Sequence, residues 1–281
     1  MAVVLSLIAA VSYGLSDFLG GVLSRRTSAW PVAVTAQLGG LLAMLVAAAY
    51  AGGSPTRVDL AWGLVAGLGN GIGTAFLYRG FAGGRIGVVA PVSGVGAAVV
   101  PLVAGLLGGE RPGTTAAVGL VLALPAIWLV AREPAAPAST PSPQGRAALS
   151  SGVVDGVVAG LGFGVLFTAL AQVPADAGFW PLALDQLVGS VCVATVAVLG
   201  GHAWRPTGLA WGGLLPGALG GVATLLFLLA SQQGLLSVAA VLTSLYPGVT
   251  VLLAALVLRE RLRRPQVGGL VLCLAAVALI A

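Results

Sequence analysis

The sequence contains no lysine and little charge of either sign: charged residues make up 7% of its 281 positions, against 58% hydrophobic ones. A water-soluble domain carries about a quarter charged residues. There is too little polar surface here to cover a globule in water. A hydrocarbon solvent removes that demand, so the composition points to an integral membrane protein. Cysteine is scarce as well. Cys192 and Cys273 stand inside apolar runs, with no disulfide or metal spacing, and read as buried free thiols. The single histidine, His202, has no partners for a zinc site and reads as a loop residue at the surface. No Gly-x-x-x-x-Gly-Lys-Ser/Thr loop occurs, which excludes ATP hydrolysis by that route. No catalytic residue, cofactor or metal is expected. The net charge of +5 is spread over short loops and is not a nucleic-acid signal.

What is present is long apolar runs. A bilayer core about 30 Å thick takes about 20 such residues per helix. Runs of that length occupy roughly residues 2–23, 30–51, 61–79, 86–107, 114–131, 151–171, 179–200, 208–230, 235–258 and 265–281. Turn-forming pieces such as SRRTS, GGSPTRVD and GGERPG separate them. Strands of a membrane barrel would alternate polar and apolar residues, which these runs do not. The expected fold is all-α, with ten transmembrane helices. The first run lacks the charged start of a signal peptide and is expected to belong to the fold.

The chain also repeats itself. ERPGTTAAVGLVLAL at 110–124 returns as ERLRRPQVGGLVLCL at 260–274, an offset of 150 residues. At that offset Tyr13-Gly14 matches Phe163-Gly164, Trp30-Pro31 matches Trp180-Pro181, Thr74 matches Thr224 and Gly84 matches Gly234. Leu60-Ala61-Trp62-Gly63 matches Leu209-Ala210-Trp211-Gly212 one residue out of step. Chance likeness among Ala- and Leu-rich helices does not align pairs of rare residues at one offset. Residues 1–131 and 151–281 therefore read as two five-helix repeats, joined by a Pro/Ala/Ser-rich linker at 132–150. Five is odd, so the second repeat enters the membrane from the opposite side. Inverted repeats of this kind suit alternating access around a central site.

Ten spans in two repeats, each with a Glu-Arg step (Glu110-Arg111, Glu260-Arg261) before a Gly-Leu-Val-Leu helix, resemble the drug/metabolite transporter superfamily, in particular its EamA-type members. The resemblance covers all but the linker. Tyr13-Gly14 sits where such proteins carry Trp-Gly, and Arg259 stands where Gly usually precedes the Glu. The resemblance implies a secondary transporter, often an exporter, of small metabolites, amino acids or drugs. It also implies a central cavity flanked by the fourth and ninth spans. A non-transporting scaffold or assembly subunit is the alternative.

Ionisable and polar groups inside apolar spans are costly, so each is a candidate for the substrate pathway. Asp17, close to Tyr13, reads as a proton or cation site facing the cavity, or as a structural partner of an arginine such as Arg25. Asn70 lies among Gly67, Gly69, Gly71 and Gly73, where close helix packing and a ligand contact are both open readings. Gln37, Asp185 and Gln186 form a possible second polar cluster. Ser93, Thr243 and Tyr246 gain weight from the resemblance, and Pro91 and Pro247 free backbone carbonyls beside them. Gln232 closes the eighth span and completes the candidates. Tyr78-Arg79 reads as an interfacial anchor with a snorkelling arginine. Glu110 and Glu260 suit the positive ends of helix dipoles in a structural role.

Eleven arginines fall in loops after odd-numbered spans and only Arg57 and Arg111 in the others. The positive-inside rule then puts the odd loops in the cytoplasm and both termini outside; the family habit is termini inside. The expected setting is a plasma membrane, in a bacterium by the Arg-only, Ala/Gly/Val-rich composition. The expected partners are a small organic solute, lipid and, as a candidate coupling ion, the proton, with the protein a monomer or homodimer.

Overall fold

The computed structural model describes residues 1–24, 26–82, 86–131, 143–259 and 262–281. Arg25, Gly84, Arg85, Glu260, Arg261 and the first part of the expected linker, 132–142, lie outside the described residues. The helices are α1 Ala2–Ser24, α2 Ala29–Ala51, α3 Arg57–Ala82, α4 Ile86–Leu107, α5 Thr114–Ala131, α6 Pro143–Leu170, α7 Trp180–Leu199, α8 Leu214–Ser231, α9 Leu236–Thr243, α10 Tyr246–Val257 and α11 Arg264–Ile280. A 3₁₀ turn, Gly208–Gly213, leads into α8, and α9 and α10 are the two halves of one broken span. No strand occurs among the described residues.

Among the described residues, seven helical stretches are long and apolar enough to cross a membrane, and three shorter apolar helices (Val92–Leu107, Thr114–Val130 and Arg264–Ile280) bring the number to the expected ten. Large apolar side chains point outward at helical spacing, as with Leu42 and Val46 on α2 and Leu187 and Val191 on α7. A water-soluble protein would not leave such faces bare; lipid covers them. α6 starts at Pro143, inside the stretch that composition assigned to the linker.

Local chemistry starts the helices. At α3, Thr56 donates its N–H and hydroxyl to Asp59 (both 2.7 Å), and the Asp59 N–H returns a bond to the Thr56 hydroxyl (3.3 Å). This is a reciprocal capping box. Pro181 sits in the first turn of α7, where its missing N–H costs nothing. The α9–α10 break follows from Pro247, which offers no N–H to the carbonyl of Thr243. Leu245 and Gly248 instead donate to Leu242 (3.2 Å) and Leu245 (2.9 Å), a tighter turn in mid-membrane.

Glycine sets which helices touch. On α3, Gly63, Gly67 and Gly71 lie against Pro181, Asp185 and Gly189 of α7. Gly213, at the N-cap of α8, and Gly217 and Gly221 on α8 lie against Val32, Ala36 and Gly40 of α2. Small residues four apart let two backbones approach closely, which is how helices associate where lipid removes the hydrophobic drive. Elsewhere α3 packs on α6 and α1 on α8, α4 packs on α6 and α1 on α9 and α10, and α5 packs on α11.

Arg259 adopts φ 55°, and Gly109, its mate at the repeat offset, adopts φ 94°. The tight turn survives without glycine, at the cost of a left-handed conformation for a side chain with a Cβ. Arg259→Gly is expected to stabilise the protein by up to about 1 kcal/mol, the strain relieved exceeding the extra chain entropy lost. A thermal melt of the purified protein measures this, and an unchanged or lower midpoint counts against a strained turn.

Candidate functional site

Seven helices each turn one polar or aromatic face toward a central cavity of about 120 Å³. α1 contributes Tyr13, Ser16 and Asp17, one turn apart on one face. α3 contributes Asn70, Thr74, Leu77 and Tyr78 at the same spacing. α6 presents Phe163 and Phe167, and α8 presents Gly217, Gly220 and Thr224. Gln37, Gln186 and Tyr246 close the ring from α2, α7 and α10. At about 10–15 Å³ per water, the space holds several waters or a small solute.

The walls differ in chemistry. One is an amide network. The Gln37 amide donates to Asn70 Oδ1 (3.5 Å) and Thr74 Oγ1 (3.4 Å), and the Thr74 hydroxyl donates to Asn70 Oδ1 (3.4 Å). Asn70 Nδ2 donates to Asp185 Oδ1 (3.2 Å), and Gln186 Nε2 donates to Asp185 Oδ2 (3.1 Å). Asp185 is fully buried and stands behind the wall. Its carboxylate accepts one N–H from each flanking amide, which fixes their orientation. Another wall is aromatic. Tyr13 meets Phe167 edge-on at 6.2 Å and Tyr246 at 5.9 Å, and its hydroxyl pairs with Thr224 at 2.6 Å. Thr224 donates onward to the Gly220 carbonyl (3.0 Å), and Ser16 donates to that of Pro216 (2.7 Å). Asp17 is exposed within the cavity and forms no hydrogen bond or ion pair with any described residue.

Six of the sequence candidates thus meet around one space: Tyr13, Asp17, Gln37, Asn70, Gln186 and Tyr246. Asp185 joins them from behind, so candidates from the expected pathway and from the second polar cluster share one network. Ser93 and Thr243 are buried but do not line the cavity. Gln232 lies away from it and donates to the Val173 carbonyl at 3.0 Å, tying the end of α8 to the turn after α6. Tyr78 corrects its expectation: it lines the cavity rather than anchoring at the interface. Its neighbour Arg79 turns away. Arg79 Nε bonds Asp155 Oδ1 at 2.9 Å, and the guanidinium lies 4.0 Å over the Phe76 ring. Asp155, 2% exposed, escaped the sequence reading. Ser16, Thr74, Thr224 and the two phenylalanines were also missed as lining residues, although Thr74 and Thr224 match at the repeat offset. Glu110 does serve a helix dipole. Its carboxylate accepts the N–H groups of Leu236 (2.5 Å) and Ser237 (3.0 Å) at the start of α9, not of the adjacent α5. His202 is exposed, as expected, and stacks on Trp30 at 4.9 Å.

The family model described as "EamA-like transporter family" matches residues 150–281. A solved structure described only as "Crystal structure of protein" is similar over 99% of this chain and 97% of its own, with a TM-score of 0.71 and 15% identity. At that identity the likeness shows the fold alone. No curated protein matches the chain in sequence.

Proposed function

We propose that the chain is a secondary transporter of the drug/metabolite type, moving a small organic solute by alternating access, a reading supported by the match of residues 150–281 to the EamA-like transporter family. The observation that carries this reading is the polar cavity, lined by residues of both halves, inside an otherwise apolar helical protein. A scaffold subunit has no use for a wet, carboxylate-bearing void that costs packing energy.

The helix contacts support inverted repeats. Exchange the first five spans for the last five and α3 on α6 becomes α8 on α1, while α3 on α7 becomes α8 on α2. The two glycine stripes exchange as well, Gly67 with Gly217 and Gly71 with Gly221, at the sequence offset of 150. Two bundles with the same internal contacts have two nearly equivalent ways to pack, one open to each side, and that equivalence is what alternating access requires. Outward movement is the direction the resemblance implies. The arginine bias favours both termini outside, against the family habit of termini inside. The proton is the coupling ion we favour, with Asp17 as its carrier or the substrate's counter-charge.

The test uses Leu77→Cys, a lining position with no polar role, in a background without Cys192 and Cys273. In reconstituted vesicles, a membrane-impermeant maleimide applied to either face is expected to label it. A terminal tag in the same vesicles reports orientation by its protease access. Labelling from one face only, under every solute and pH condition, rules out alternating access.

A further inference from the structure

We infer that the cavity takes an organic monocation, an ammonium or quaternary amine on a small apolar body, in preference to a zwitterion or an anion. This rests on the transport reading only in assigning the occupant as cargo; the binding preference stands on three features of the cavity itself.

The first is charge. Asp17 is the one charged side chain among the described lining residues, and no described arginine lines the cavity with it. Arg79, next to the lining Tyr78, is directed at Asp155 instead. Asp17 lines the same cavity as Tyr13, Tyr78 and Tyr246, so the carboxylate faces the aromatic side. A carboxylate with no cationic partner among the described residues, set between low-dielectric walls, attracts cations and repels anions.

The second feature is the direction of the amides. Asn70 and Gln186 each commit an N–H to Asp185, and Gln37 commits one to Asn70 and Thr74. The Oε1 atoms of Gln37 and Gln186 accept no hydrogen bond from any described residue. The wall behind the cavity is thereby biased toward acceptors. An ammonium group, all donor, is satisfied by acceptors; a carboxylate is not. Asp185 acts here as a positioning residue: it takes an N–H of Gln186, whose oxygen is left free, and one of Asn70, whose oxygen in turn takes the Gln37 N–H and leaves the Gln37 oxygen free.

The third is the aromatic side. Tyr13 stands between Phe167 and Tyr246 at 6.2 and 5.9 Å, with Tyr78 and Phe163 on the same cavity. Aromatic faces attract a cation within about 6 Å and pack its apolar body. An amino acid would satisfy its ammonium here while leaving its carboxylate near Asp17 and amide oxygens, with no counter-charge among the described lining residues.

The test compares phenethylamine, phenylalanine and phenylacetate, which share one ring and differ in charge, together with tetramethylammonium. Binding to the full chain in nanodiscs is measured calorimetrically. Phenethylamine is expected to bind at least about 10-fold tighter than phenylalanine, the scale of one charge-assisted hydrogen bond, and phenylacetate not at all. Asp17→Asn is expected to weaken the amine at least about 10-fold and Asp17→Glu to restore most of it. Melting curves of both variants confirm that they are folded. Equal affinity for the three ring compounds overturns the inference, as does tighter binding of phenylalanine or phenylacetate. An Asp17→Asn protein with undiminished amine affinity also overturns it, as does failure of the wild type to bind either cation. Binding in nanodiscs needs no flux. Amine binding without vesicle flux would keep this inference and remove the transport reading, and flux without cation preference would do the reverse.

Discussion

Gly217→Ala is expected to lower the melting temperature by roughly 6–12 °C, the equivalent of about 3 kcal/mol in a chain of this length. The added methyl would lie about 2.5 Å from the carbonyl carbon of Ala36 and 2.6 Å from its Cα, and closer still to its carbonyl oxygen. All three are backbone atoms of α2, so no side chain can swing away. The helices α2 and α8 must separate instead, and overpacking of that kind costs about 1–3 kcal/mol or more. The loss extends to function, because Ala36 and Gly217 both line the cavity and parting them reshapes its wall. Gly67→Ala, at the matching place on α3, meets Val188 Cβ at 2.6 Å and the Asp185 carbonyl oxygen at 2.7 Å and is expected to cost somewhat less. Gly21→Ala is the control. Nothing lies within 4 Å of its added methyl, and it sits in the interior of α1, so it is expected to be neutral or to stabilise by about 0.5–1 kcal/mol. If Gly217→Ala melts like Gly21→Ala, the two glycine stripes are not what sets the helix spacing.

The helices were legible in the sequence because run length and turn residues are local properties. The fourth span was expected at 86–107 and is Ile86–Leu107. The break in the ninth span was half legible: Pro247 announced a bend, but whether a proline bends a helix or divides it depends on what the freed carbonyls meet. The cavity was legible where one residue is unusual by itself, as with Asp17, Asn70 and Tyr246. It was not where meaning lies in a pair. Asp155 signifies little until Arg79, 76 positions earlier, is placed against it. Asn70 and Asp185 are 115 positions apart, so one network read as two clusters. Tyr78-Arg79 at a helix end has the same sequence signature whether the tyrosine meets headgroups or a cavity. Only the rotation of α3 about its axis separates the two, and packing against α6 and α7 sets that rotation.

The second large effect concerns Glu110, which sits in the α4–α5 loop yet caps α9. The first N–H groups of a helix have no partner within it, and α9 has no side-chain cap of its own at Leu235. The Glu110 carboxylate supplies two acceptors from 126 positions away, to Leu236 and Ser237, both buried. Its charge also opposes the positive end of the α9 dipole. Glu110→Ala removes both bonds and leaves two buried donors unsatisfied, at an expected cost of about 2–4 kcal/mol. Glu110→Gln keeps one acceptor oxygen without the charge, and about half the loss is expected to return. The order wild type, Gln, Ala in melting temperature is the signature of a cap. A Gln variant as unstable as the Ala variant would assign the effect to charge alone, and an Ala variant as stable as wild type would remove the cap altogether. This contact also joins the first half of the chain to the half-helix whose far end leads to Tyr246 in the cavity wall. A shift of α9 is therefore felt at the solute, and Glu110→Ala is expected to change labelling of Leu77→Cys from the two faces as well as stability.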